Sequence, residues 1–323
     1  MAAVRYQSSH EAMGTFFTVI AYGESSVFLE RVVRQAFQEV DRLNSKMSHY
    51  KPESELCVIN RDASRQEVVV TAELFNLIED SLRYSEETTG AFDITIGPLM
   101  KSWGFFRGWG RLPSSTELAQ VMKRIGYRHI KLDAAAAAIR FDESGIELDL
   151  GAIAKGYAVD RAVEILRAEG ITQALVSSGT SSIYALGSPP GEQGWSVSVC
   201  DPFDRRKRVC MLRLQNLSIS VSGDYEQFFE LDGKVYAHIM DPGKGMPAEG
   251  MLMTTVISSS ATESDALSTS FFVGGVEKSR AYLERHPNLT ALLYTPMTSQ
   301  RAFEQTTLTS RVTNLPADRF LKM

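Results

Sequence analysis

Asp265 and Thr269 stand four residues apart in the stretch ATESDALSTSFF (261–272), whose apolar residues mark the start of a buried helix. Side chains at i and i+4 share one helical face, so a carboxylate and a hydroxyl project together. With a backbone carbonyl they would make half the shell of a hard cation such as Mg²⁺, which completes its octahedron with waters and substrate phosphates. The local alternative is an acidic residue in the favourable first turns of a helix and a threonine bonding back to its own backbone. Spacing alone leaves both readings open.

Three further segments concentrate polar side chains in apolar sequence. IELDLGAIAKGYAVD (146–160) ends a strand on Asp149 and opens a helix at Gly151, with Lys155 in its first turns. A helix N-terminus favours anions, so a lysine there suits either an arriving anionic group or plain solvent. GAFDITIGPLMKSWGF (90–105) places Asp93 between Phe92 and Ile94, as a turn residue or a ligand contact. YAHIMDPGKGMP (236–247) places His238 on a strand ahead of an Asp-Pro-Gly turn, as a structural histidine or a catalytic one. The glycine signatures of dinucleotide and phosphate loops, HExxH and GxSxG are all missing from the sequence, and DPGKG (241–245) lacks phosphate-loop spacing.

These residues need elements to hold them. Thr15–Tyr22 reads as a strand and Ser26–Met47 as an amphipathic helix. A second helix is expected over about 71–89, and Ser114 with Glu117 forms a capping box for a third over about 115–126. Short strands are expected at about 129–132, 138–141 and 146–149, a helix at about 152–168, and strands at about 173–178 and 182–186. From Trp195 to Val256 the pattern suggests an antiparallel meander, followed by two helices between Ala261 and His286 and a strand at about 289–295. No linker or repeat interrupts the 323 residues, so the fold class is α+β, a single domain over 1–323 with two interleaved lobes and a mixed sheet.

Composition narrows the function classes. The net charge of −5 and dispersed basic residues argue against nucleic acid, and DRRKR (204–208) reads as a solvated turn between strands. Three cysteines without CxxC spacing suggest neither a zinc site nor a disulfide framework. No apolar run approaches the ~20 residues of a membrane span. The opening MAAVRYQSSHEAMGTFF has no secretory pattern, so the expectation is a cytoplasmic protein, or an exported or membrane-associated one if a signal segment has been removed.

Seven segments sharpen the reading: MGTFFTV, MSHYKPESELCVIN, GAFDITIGPL, LDLGAIAKGYAVDRA, SGDYEQFF, HIMDPGKGMP and SDALSTSFFVGG, in this order from Met13 to Gly275. Together they resemble the signature segments of the ApbE family, the FAD:protein FMN transferases. The resemblance implies a composite two-lobed fold and a Mg²⁺-dependent enzyme that takes FAD as substrate. Such an enzyme releases AMP and attaches FMN through a phosphoester to a threonine or serine of an acceptor protein. It further implies FAD contacts at Met13, Tyr50, Ala91, Phe92, Asp93, Asp149, Lys155 and Met240. Metal ligation falls to the Ala152 carbonyl, Asp265 and Thr269, and His238 is the candidate base, with Lys155 and Asp265 assisting the chemistry.

Two segments stand apart. LVSSGTSSIYALG (175–187) departs from the paired-glycine turn of many relatives, which leaves the adenosine-side contacts open. SSSAT (258–262) resembles the acceptor sequence such enzymes modify, but lacks its upstream aspartate and reads as a helix start. Two other classes remain: a metal-dependent FAD pyrophosphatase giving free FMN and AMP, and a non-catalytic FAD-binding protein.

Overall fold

Alternation along one strand sets the architecture. In Thr15–Gly23, Phe17, Val19 and Ala21 face one way and Ile20 and Tyr22 the other, the period of two that a strand imposes. Both faces carry apolar side chains, so the strand belongs in a sheet covered on both sides. The computed structural model describes residues 3–108, 110–297, 302–309 and 320–321. It places this strand in an eight-stranded sheet with the spatial order Val4–Ala12, Thr15–Gly23, Ala174–Ser178, Ser182–Leu186, Leu217–Gly223, Met253–Ser258, Thr290–Pro296 and Phe303–Thr309. Helices Ser26–Met47, Ala154–Ala168 and Ala261–Arg285 cover one face. On the other face, Trp195, Val197, Leu212 and Leu214 of a strand pair pack against Ile219, Met253, Ile257, Leu292 and Tyr294. The main core draws on residues from Ala12 to Leu308, so early and late parts of the chain are built into one interior.

The α+β class holds, but the sheet is antiparallel rather than mixed. The parallel pairing seen among the described residues is the isolated bridge Ile96–Glu147. The cause lies in where the helical excursions return. Ala21 pairs with Ala174, and Ile257 with Thr290, so the chain re-enters the sheet at the end it left. The same constraint shapes the Ala261–Arg285 segment. A straight helix of its 25 residues would run roughly 37 Å from its start. Gly275 at φ 74° and ψ −178° instead splits it into two arms and lets the chain come back, giving the two helices expected there.

The helix Ser26–Met47 has the expected bounds, while the capping-box helix ends earlier, at Met122. Helices Glu55–Asp62 and Gly97–Ser102 and the first strand, Val4–Ala12, were not foreseen. The strand expected at 146–149 is extended chain with a single bridge residue, because a side chain occupies one of its edges. Asn60 donates to the Leu148 carbonyl at 3.0 Å and accepts from its N–H at 2.7 Å. The segment Trp195–Val256 is antiparallel but is no single meander: its strands are dealt to four separate sheets. Leu99, Trp103, Val121 and Met240, joined by Phe229 and Tyr236, form a smaller apolar cluster separate from the main core. Among the described residues no helix is long and apolar enough to cross a membrane.

Candidate functional site

A cleft of about 630 Å³ is lined by all twelve residues singled out from the sequence: Met13, Tyr50, Ala91, Phe92, Asp93, Asp149, Ala152, Lys155, His238, Met240, Asp265 and Thr269. Met13 reaches it from the tip of a two-residue hairpin turn in which both Met13 (φ 50°) and Gly14 (φ 72°) are left-handed, the geometry that matches strand twist. Tyr50 is 74% exposed at the rim, edge-on to Phe106, and the His49 ring lies 4.9 Å from Phe106 as well. Phe92 and Met240 are buried in the cleft wall, so they give it shape and apolar surface.

The carboxylate and hydroxyl pair lies where two helices touch. Gly156 on Ala154–Ala168 donates its N–H to Asp265 Oδ2 at 2.8 Å. That N–H would otherwise close the helical turn onto the Ala152 carbonyl four residues back. The helix therefore begins at Ala154, two residues later than expected, and among the described residues nothing donates to the Ala152 carbonyl. Thr269 Oγ1 is 3.1 Å from Ser222 Oγ, and Asp265 is only 2% exposed. An open backbone carbonyl, a buried carboxylate and a hydroxyl are all hard oxygen donors, the kind that suits Mg²⁺ better than softer metals. No group of three His, Cys, Asp or Glu side chains among the described residues offers a rival metal site. This donor set fits a hard cation.

Lys155 donates to the Gly151 carbonyl at 2.9 Å, which folds it back onto the turn that follows Asp149. Asp149 Oδ1 accepts from Gly151 N at 2.7 Å and lies 3.4 Å from His49 Nε2, an ion-pair distance rather than a well-formed hydrogen bond. Burial pushes the Asp149 carboxyl up, but His49, the Gly151 N–H and Lys155 together outweigh it and hold the group below the ordinary carboxylate range. Asp149 is thus ionised inside the cleft.

His238 sits one residue past the strand Lys234–Ala237, not within it. Its Nδ1 lies 3.1 Å from the Gln227 carbonyl, which can only accept, so Nδ1 carries the proton and Nε2 keeps a free lone pair. Burial, with the Lys155 charge added, pushes the imidazole down to about 4. At neutral pH it is an uncharged acceptor. Asp93 holds the cleft wall together: Oδ1 accepts from Thr95 N at 2.8 Å and Thr95 Oγ1 at 2.6 Å, and Oδ2 from Tyr127 N at 2.8 Å. It acts as a turn residue that pins the wall to the 126–127 loop, and it lines the cleft, where Oδ2 can accept one more bond.

Sequence reading missed part of the lining. His49 lay unremarked inside MSHY, and Glu226 inside SGDYEQFF. DRRKR does turn between strands, as expected, but Arg205 lines the cleft and donates to Thr180 Oγ1 at 3.1 Å. Ser178, Thr180 and Ser181 of the departing segment line it as well. The SSSAT stretch is a helix start: Ser260 is the N-cap, and Thr262 Oγ1 is bound to Asp160 Oδ2 at 2.7 Å.

The chain is similar to proteins already known over most of its length. A FAD:protein FMN transferase of Treponema pallidum is 31% identical over 313 residues, covering 92% of this chain and 86% of its own. One from Klebsiella pneumoniae is 31% identical over 292 residues, covering 90% and 89%. The crystal structure of the ApbE protein of Thermotoga maritima superposes with a TM-score of 0.85 at 30% identity, covering 94% of this chain and 97% of that one. The flavin transferase ApbE of Vibrio cholerae gives 0.83 at 25% identity, covering 96% and 98%. The profile of the ApbE family matches residues 13–293, and the chain belongs to that family.

Proposed function

We propose that the protein is an FAD:protein FMN transferase that cleaves FAD, releases AMP and leaves FMN on a threonine or serine hydroxyl of an acceptor protein. The observation that carries this reading is that residues from Met13 to Thr269, separated widely in sequence, converge on one cleft with an aromatic rim and an oxygen-rich interior. The flavin end fits the apolar side made by Tyr50, Phe92 and Met240, where a flat ring gains area against aromatic and thioether groups. The pyrophosphate fits beside Lys155, whose charge attracts it. Asp265, Thr269 and the Ala152 carbonyl would hold Mg²⁺, which supplies neutralisation of phosphate charge during displacement.

The chain's own groups do the rest. The acceptor oxygen attacks the phosphorus on the FMN side, the new O–P bond forms, and the bond from that phosphorus to the bridging oxygen breaks. AMP departs with the bridging oxygen, and the hydroxyl proton passes to His238 Nε2. A neutral imidazole with its Nδ1–H fixed on Gln227 is prepared for that proton. An anionic pyrophosphate beside Lys155 offsets one of the two causes that depress the imidazole, so substrate binding strengthens the base.

Incubation with FAD, Mg²⁺ and an acceptor peptide, followed by mass spectrometry, tests the reading. Addition of FMN to the peptide supports it. Free FMN and AMP without adduct would mark a pyrophosphatase, and intact FAD a binding protein.

A further inference from the structure

Helices Ala154–Ala168 and Ala261–Arg285 meet along two rows spaced by four residues. One row runs Ala152, Gly156, Asp160, and the other Ala261, Asp265, Thr269. They are joined in opposite order. Asp160 Oδ1 accepts from Ala261 N at 2.8 Å, Gly156 N reaches Asp265 Oδ2 at 2.8 Å, and Ala152 and Thr269 open onto the cleft. The closed end is held hard: Asp160 Oδ2 also accepts from Ser260 Oγ at 2.7 Å, Thr262 N at 2.8 Å and Thr262 Oγ1 at 2.7 Å.

Capping does not require this carboxylate. Ser260 already caps the helix by accepting from Glu263 N at 3.2 Å. What Asp160 adds is a link between two helices, four hydrogen bonds to one anion at a positive helix terminus. Asp265 lies one turn, roughly 6 Å, beyond Ala261, and a helix transmits displacement at its first turn along its axis. Mg²⁺ demands oxygen distances of about 2.0–2.1 Å in near-ideal octahedral geometry, so a slip of a fraction of an ångström spoils the set.

We propose that Asp160, outside the cleft, is a positioning residue that sets the register of Asp265 and Thr269 against the Ala152 carbonyl. The inference rests on the hard-cation reading above. Mn²⁺ is the probe, titrated against the full chain and read by water proton relaxation, with thermal midpoints measured in parallel. Asp160→Asn is expected to weaken Mn²⁺ binding by about 10- to 100-fold, the usual cost of losing a group that orients a ligand. Ser279→Ala, which removes a hydrogen bond to the Gly275 carbonyl farther along the same segment and leaves Asp160 untouched, should lower the midpoint and keep Mn²⁺ affinity. Should Asp160→Asn fail to fold, Thr262→Val deletes a single donor to Asp160 and should still weaken Mn²⁺ binding measurably. Unchanged affinity in a folded Asp160→Asn or in Thr262→Val, or an equal loss in Ser279→Ala, overturns the inference. An unaltered protein that binds no Mn²⁺ would overturn the cation reading itself and this inference with it.

Discussion

Replacing Gly156 by alanine attacks the helix contact on which the oxygen site is built. A Cβ at that position would lie 2.1 Å from the Ala261 carbonyl oxygen, 2.7 Å from the carbonyl carbon and 2.7 Å from Asp265 Cβ. Carbon and oxygen without a covalent link come no closer than about 3.3 Å, so the helices must part by roughly 1 Å. Ala261 cannot step aside freely, because its N–H is held by Asp160. Helix propensity alone would make the variant more stable by roughly 0.5–1 kcal/mol. Against that stand overpacking, about 1–3 kcal/mol, and a weakened hydrogen bond to a buried carboxylate, about 1.5–3 kcal/mol. The expected balance is a loss of roughly 2–5 kcal/mol, read from urea unfolding. FMN transfer by the fraction still folded should fall by at least about tenfold, since a 1 Å misplacement at a reacting centre can cost a hundredfold. A variant with unchanged or raised stability and normal transfer would refute the close contact and its role.

Three further outcomes are expected. His238→Asn should slow FMN transfer by about 10²- to 10⁴-fold, the contribution of a positioned base, while FAD affinity stays; equal loss of binding and thermal midpoint would make the residue structural. The same variant should change the pH dependence of stability. The folded imidazole is depressed to about 4 by burial and then by Lys155, so between the ordinary 6.5 and 4 the unfolded chain holds a proton that the folded one lacks. Stability from this group is full above 6.5 and drains as pH falls towards 4, by at most about 3 kcal/mol; an identical pH slope in His238→Asn would contradict this. Chelation should abolish transfer and Mg²⁺ restore it, and Asp265→Ala should stay inactive at Mg²⁺ levels that saturate the unaltered protein, measured as AMP released.

How much of this could be read in advance depends on what carried the signal. Asp149, Lys155, Asp265 and His238 announced themselves by chemistry, since charged or titratable side chains in apolar sequence demand an explanation, and each lines the cleft. Helix Ser26–Met47 was legible because its period and cap agree locally. Sheet direction was not, because it depends on where a long excursion returns, which no local pattern encodes. Asn60 and Arg205 were missed for a related reason: each acts on a segment distant in sequence, Leu148 for one and Thr180 for the other. Asp93 reached the cleft as expected, but three of its hydrogen bonds go to Thr95 and Tyr127, so residue type located it without revealing its structural task. Ala152 is the extreme case. A backbone carbonyl is present at every position and leaves no mark in composition. What exposes this one is a missing side chain on another residue: Gly156 lets Ala261 approach and turns its own N–H towards Asp265. The informative letter for the oxygen site was therefore the G of AKGYAVD, a residue with no chemistry of its own, and its meaning appears only when the facing helix is in place.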